Sequence, residues 1–193
     1  MINPSKCEFG VPSIKFLGHT IDCHGIRPLE SKAKVIQDFP VPTSLCKLRE
    51  FLGLINFYRR FIPHCADILQ PLTDRLSCKR KTKAIELSEE ELLAFGKAKA
   101  ALAEHTLLVH PLVDAPLCLM VDASNHAVGG VLNQCIDGQM KPISFFSKRL
   151  QPAETKYSTF GRELLAVYLA NLKRNMVINC RQGQMQMHTC MSR

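Results

Sequence analysis

Three short β-forming runs followed by one long helical pattern constrain this chain more than any other feature. "LCLMVDAS", "AVGGVLNQC" and "KPISFFSKR" read as strands, and "YSTFGRELLAVYLANLKR" reads as a helix. The last two runs are separated by "IDGQM", in which Asp137-Gly138 is a strong hairpin signal. The order strand, strand, strand, helix belongs to an α+β pattern. One charge, Asp122, stands at the end of the first apolar run. Burying an unpaired carboxylate costs on the order of several kcal/mol, so such a group is paired, metal-bound or at a strand end. On the helix that follows, Phe160, Leu164, Val167 and Leu169 are expected to face the core, with Glu163 in the first turns.

Upstream, "MINPSKCEFGVPSIKFLGHTID" is punctuated by Pro4, Gly10 and Pro12. "IKFLGHTI" is its clearest strand-like run, and Gly25 and Pro28 mark the next turn. "ESKAKVIQDF" reads as a short helix stopped by Pro40 and Pro42. Ser44 is placed to cap a second helix, "LCKLREFLGLINFYRRF", with Leu48, Phe51, Leu52, Ile55 and Tyr58 as its apolar stripe. Lys47, Arg49, Arg59 and Arg60 fall largely off that stripe, as a solvated face or as a surface for a phosphate backbone. "CKRKTKAIEL" at 78–87 reads as a basic exposed loop. Ser88 and Glu91 match a capping box opening a helix to about Glu104, with Leu92, Phe95, Ala98 and Leu102 on one side. The tail, residues 173–193, is rich in Met, Gln and Cys without a steady period and reads as irregular.

The 193 residues hold 25 Lys and Arg against 17 Asp and Glu, a net charge of +8. That excess suits an acidic partner such as nucleic acid, or a merely soluble basic protein. The nine cysteines are scattered, with no C-x-x-C and no zinc-finger spacing. Adjacent Cys23-His24 and His64-Cys65 are weak metal candidates. No signal peptide or apolar stretch of about 18 residues is present, so no membrane role is expected. An intracellular, reducing compartment with free thiols is the simplest expectation.

"FLGHTID", "LREFLGLINFYRRFIPHCADILQPLTD", "LLVHPLVDAPLCLMVDASNHAVGGVLNQ" and "ISFFSKRLQPAETKYSTFGRELLAVYLA" together resemble one family. It is the Pol polyprotein of gypsy-type LTR retrotransposons, and the resemblance runs colinearly over about residues 3–170. It implies the end of a reverse transcriptase palm at 1–28, with primer-holding strands. Thumb and connection helices with a basic linker would occupy 29–87, a partial ribonuclease H-like domain 88–172, and an irregular tail 173–193. Phe16, Leu17, Gly18 and His19 match the strand turn that holds a primer end, and the helix from Leu45 to Phe61 matches the thumb. Asp122 and Glu163 match the first two catalytic carboxylates of ribonuclease H, which implies magnesium as cofactor. An RNA–DNA hybrid or primer–template duplex is the implied partner.

The implied chemistry needs an activated water and a stabilised leaving oxygen, which two magnesium ions about 4 Å apart supply. Magnesium takes oxygen ligands, so carboxylates must converge from separate elements. The competing reading makes Asp122 the cap of a turn through Asp122-Ala123-Ser124 and Glu163 a surface helix residue. The chain departs from the family in two ways. It contains no Y-x-D-D-type pair, and no Asp or Glu follows Glu163. Polymerase chemistry is therefore not expected from this chain alone, and the ribonuclease H site is expected to be incomplete. The sheet would also lack strands, leaving an open edge for self-association or for the rest of Pol. Three functions remain: a truncated enzyme fragment inactive alone, a non-catalytic nucleic-acid binding module, and an inert relic.

Overall fold

The computed structural model describes residues 7–77, 85–104, 107–177 and 185–189. It opens with a three-stranded antiparallel sheet of β1 (Ser13–Phe16), β2 (His19–Asp22) and β3 (Gly25–Pro28), in that order. The run expected as one strand is thus a hairpin, because Leu17 and Gly18 both take positive φ, 45° and 78°. Gly25 and Pro28, expected to mark a turn, are the two ends of β3. The turn lies at Cys23-His24, where Asp22 Oδ1 accepts the N–H groups of His24 and Gly25 at 2.9 and 3.2 Å.

The helices follow: α1 (Glu30–Gln37), α2 (Leu45–Phe57), α3 (Cys65–Ile68), α4 (Gln70–Ser77) and α5 (Glu89–Ala103). Ser44 caps α2 by accepting the Lys47 N–H, and Ser88 with Glu91 forms the expected capping box on α5. Leu48, Phe51, Leu52, Ile55 and Tyr58 are buried together with Phe61, Leu72, Phe95 and Leu102 in one core. The helix expected to reach Phe61 stops at Phe57 and tightens into a 3-10 turn at Arg59–Phe61. On α5, Leu92 is exposed, and the packed stripe is Glu91, Ala94, Phe95, Ala98 and Leu102. Small alanines bring the helix close, and Leu92 and Leu93 turn outward. The basic stretch Lys79, Arg80, Lys81 and Lys83 lies outside the described residues.

A second sheet contains β4 (Leu117–Ala123), β5 (Ala127–Ile136) and β6 (Gln139–Arg149), all antiparallel, and β7 (Met185–Thr189) parallel to β4. Its order is β6-β5-β4-β7, which makes a mixed sheet. Asp137 and Gly138 form the two-residue turn, both at positive φ. Helix α6 (Thr159–Val177) lies against this sheet, and Ala166 and Ala170 are buried among Leu117, Leu119, Val121 and Leu132.

Two expectations are corrected here. Phe160 and Leu164 face outward, 69% and 60% exposed, because the small alanines are what let α6 approach the strands. The tail is not wholly irregular, since Met185–Thr189 pairs along β4. Its Met-Gln-Met-His alternation has period two, and the outer edge of β4 supplies the backbone partners. That pairing covers β4 from Leu117 to Val121, so β6 and β7 are the outer strands of the described sheet.

Packing does not divide at residue 88, because α5 joins the helical core. The halves meet further on: Leu108, still in the helical core, exchanges both backbone hydrogen bonds with Ile26, 2.7 and 3.1 Å, and the next residue, Val109, donates to the Pro142 carbonyl of β6 at 2.9 Å. Gly25 lies so close there that a Cβ would sit 2.2 Å from the Leu108 carbonyl oxygen. Fully buried Gln134 donates to the His110 carbonyl at 2.7 Å and accepts from the Leu112 N–H at 3.0 Å. No helix among the described residues is long and apolar enough to cross a membrane. We predict that Gly25→Ala lowers the stability to urea by about 2–3 kcal/mol, since backbone must move to admit the methyl group.

Candidate metal centre and nucleic-acid surface

Asp122 lies near the end of β4, opposite Gly129 of β5. Glu163 lies in the second turn of α6 and is 6% exposed. The structure brings the two carboxyls together. Burial first, and then the negative charge of Asp122, push the Glu163 pKa above its ordinary value, against Arg162 and the Ala123 N–H that it accepts. Asp122 Oδ1 and Glu163 Oε2 are both buried without a hydrogen-bond partner. Two unsatisfied carboxyl oxygens, on groups close enough for the charge of one to act on the other, form an arrangement that a divalent cation would satisfy. Among the described residues, no group of three or more His, Cys, Asp or Glu converges in a manner suited to a metal.

The structure also decides against the turn-cap reading of the same residues. Ser124, not Asp122, makes the turn, its hydroxyl accepting the N–H groups of His126 and Ala127 at 3.2 and 2.9 Å. Glu163 is buried rather than a surface residue. Sequence reasoning missed Asp67 and Arg162. Asp67 accepts from Ser124 Oγ at 2.8 Å, and Arg162 donates to Asn125 Oδ1 at 2.5 Å. Nothing in local spacing signals either contact. A cavity of about 280 Å³ flanks Asp122, walled by Pro63, His64, Met120, Val131 and Phe145. Cys65 is buried, which pushes its thiol pKa up to about 11 and leaves it a poor ligand for a metal.

The expected nucleic-acid residues separate into exposed and buried groups. Phe16 and Leu17 stand exposed at the β1–β2 tip. Gly18 is latched from behind, with Tyr58 Oη donating to its carbonyl at 3.1 Å. A Cβ at Gly18 would meet that hydroxyl at 2.9 Å, so only glycine fits there. His19 stacks on Phe61 at 5.5 Å and touches the rings of Phe57 and Tyr58. Burial, and after it the Arg60 charge, hold the His19 pKa below its ordinary value against a backbone hydrogen bond with Leu17. Lys47 pairs with Glu50 at 2.9 Å, and Arg49 is exposed. Arg59 donates to the Ser147 carbonyl of β6, and Arg60 is partly buried over the Phe61 ring. The four basic residues are therefore not one face. Lys47 and Arg49 lie at the start of α2, and Arg59 and Arg60 follow its end, where Arg59 joins the halves.

A family model, "RNase H-like domain found in reverse transcriptase", matches residues 87–184. The chain belongs to the reverse transcriptase/ribonuclease H family of retrotransposon Pol polyproteins. It is 42% identical over 165 residues to the Pol polyprotein of transposon 297 from Drosophila melanogaster, matching 86% of this chain and 15% of that protein. It is 35% identical to the Pol polyprotein of transposon gypsy from the same species, over 88% of this chain and 17% of the relative. The Tf2-3 polyprotein of Schizosaccharomyces pombe is 30% identical, over 86% and 12%. This Pol segment therefore spans less than a fifth of these relatives. A foamy viral protease–reverse transcriptase solved with an RNA/DNA hybrid has its fold, with a TM-score of 0.77 at 24% identity over 92% of this chain and 24% of that one. A second foamy viral structure, solved with double-stranded DNA, gives 0.77 at 22% identity, over 92% and 30%. The family match begins at Leu87, so the sequence unit includes α5, a helix that packs in the other core.

The raised Glu163 value sets a pH dependence. Its folded pKa lies above the unfolded one, so the folded chain binds more protons between the two. Stability from this group is therefore lost as pH rises through that interval, starting at the ordinary glutamate range. We predict that Glu163→Gln, without divalent ions, melts about 2–6 °C above the wild type at pH 7. The gap should close below pH 4, as followed by circular dichroism.

Proposed function

We propose that this Pol segment grips an RNA–DNA hybrid or primer–template duplex and offers Asp122 and Glu163 as ligands to magnesium in a ribonuclease H-type site. The single observation that carries the metal assignment is the pair of buried, unpartnered oxygens, one from each carboxyl. Hard oxygen donors from a strand end and a helix suit a small divalent ion that keeps several waters. When bound, such an ion would activate water and neutralise charge on a leaving oxygen. The chain's own part is to hold the ligands: the Ala123 N–H bonds the Glu163 carboxyl, and burial keeps bulk water from it. The exposed tip at Phe16 and Leu17, with Lys47 and Arg49, is the proposed contact with the duplex.

Two carboxylates supply ligands for one ion, not for the pair that hydrolysis uses in this chemistry. No acidic residue follows Glu163, and no Y-x-D-D-type pair occurs in the sequence. The isolated chain, on this reading, binds duplex and one cation without appreciable turnover. The net charge of +8 favours the binding role. Cys23, Cys46, Cys65, Cys118 and Cys135 are free thiols, which fits an intracellular, reducing setting.

We predict that magnesium at tenfold its Kd stabilises the wild type by about 1.4 kcal/mol, and Asp122→Asn or Glu163→Gln by much less. Equal thermal shifts in all three proteins would exclude the metal site. Binding of a labelled RNA–DNA hybrid should weaken linearly in log salt, and Arg49→Ala should reduce that slope by about 1. Cleavage of the hybrid above the Asp122→Asn background would show instead that the two carboxylates suffice for turnover.

A further inference from the structure

We propose that Asp67, on the short helix α3, is a positioning residue for the carboxylate pair, acting through the Ser124 hydroxyl. The proposal rests on the reading of Asp122 and Glu163 as metal ligands. A serine hydroxyl has one proton and two lone pairs. Both lone pairs of Ser124 are engaged, by the N–H groups of His126 at 3.2 Å and Ala127 at 2.9 Å. Two acceptors compete for its proton: the Ala127 carbonyl at 3.1 Å and Asp67 Oδ1 at 2.8 Å. The carboxylate is nearer and charged, and bonds to ionised acceptors are about twice as strong as neutral ones. The proton therefore goes to Asp67, and Ser124 ties the β4–β5 turn to a helix 57 residues earlier in the chain.

That turn governs both carboxyls. Asp122, Ala123 and Ser124 are consecutive: the first is a ligand, the second donates its N–H to Glu163, and the third is the anchor to Asp67. From the other side, Arg162, the neighbour of Glu163, donates to Asn125 Oδ1 at 2.5 Å and to the Ser124 carbonyl at 3.3 Å. A turn released from Asp67 shifts the end of β4 and the start of α6 together. Asp67 is itself held in place. The N–H of Ala66 donates to Ser147 Oγ at 2.8 Å, and Cys65 and Leu69 on either side are buried. The helical half thus sets the alignment of a site whose ligands all lie in the other half.

A carboxylate near a cation site could also act by charge alone. Asp67→Asn separates the two effects, because asparagine keeps an oxygen acceptor without the charge. The experiment uses the full chain as wild type, Asp67→Ala, Asp67→Asn, Ser124→Ala and Asp122→Asn. Amide hydrogen exchange at Ala123, His126 and Ala127 is read by NMR, with the β5–β6 amides as internal control, and Mn²⁺ affinity is read by EPR. Asp67→Ala should speed exchange at the three turn amides about tenfold, leave β5–β6 unchanged and weaken Mn²⁺ about fivefold. Asp67→Asn, which keeps an acceptor but loses the charge that favours it over the Ala127 carbonyl, should fall between the wild type and Asp67→Ala in both, and adding Asp67→Ala to Ser124→Ala should do nothing more. Unchanged turn exchange in Asp67→Ala overturns the proposal. Faster exchange across the whole sheet, or Asp67→Asn as weak as Asp67→Ala, also overturns it. A Mn²⁺ affinity indifferent to Asp122→Asn sinks the metal reading itself, and the exchange rates then decide the Asp67 link independently.

Discussion

A carboxylate removed from water must be compensated, and the burial of Glu163 beside Asp122 imposes that demand on the ribonuclease H-like half. The Ala123 N–H and Arg162 offset part of it. What remains are two oxygens with no protein partner. A fold selected only for stability would fill such a site with apolar groups, because a pair of like charges in a poorly solvated place opposes folding. The proposed divalent ion is a positive ligand that would supply the missing compensation.

The second constraint is mechanical. The helical core and the mixed sheet are joined through the segment at 108–112: Leu108 pairs with Ile26, Val109 bonds the Pro142 carbonyl, and buried Gln134 bonds His110 and Leu112. Further along the face, Arg59 and Ala66 bond Ser147, Asp67 bonds Ser124, and Asp74 pairs with Arg149. These contacts are directional and individually modest, yet they fall on β4–β6 and the turn beside Asp122. A duplex held on the helical side would therefore meet the carboxylates at a defined separation. Arg59, which the sequence places on a solvated face or a phosphate-facing surface, also ties the halves through the Ser147 carbonyl.

Much of this was legible in the residues. Period-two runs, the Asp137-Gly138 turn, the caps at Ser44 and Ser88 and the stripe from Leu48 to Tyr58 follow from local rules, and the structure realises each of them. The errors arise where tertiary packing outweighed a local rule. Leu92, Phe160 and Leu164 were expected inward because they are large and apolar, whereas close helix packing chose the alanines beside them. The tail was expected to be irregular because it shows no steady period, and pairing with a waiting strand edge orders Met185–Thr189 all the same.

The sequence by itself determined most of the elements, the family and the two candidate carboxylates, because each depends on residues near one another or on motifs read in line. Whether Asp122 caps a turn or faces Glu163, and which cation is exposed, only the tertiary structure decided. Those outcomes depend on burial and on partners distant along the chain, such as Asp67 for Ser124 and Ser147 for Arg59. No local pattern encodes a contact whose two halves are brought together only when the cores pack.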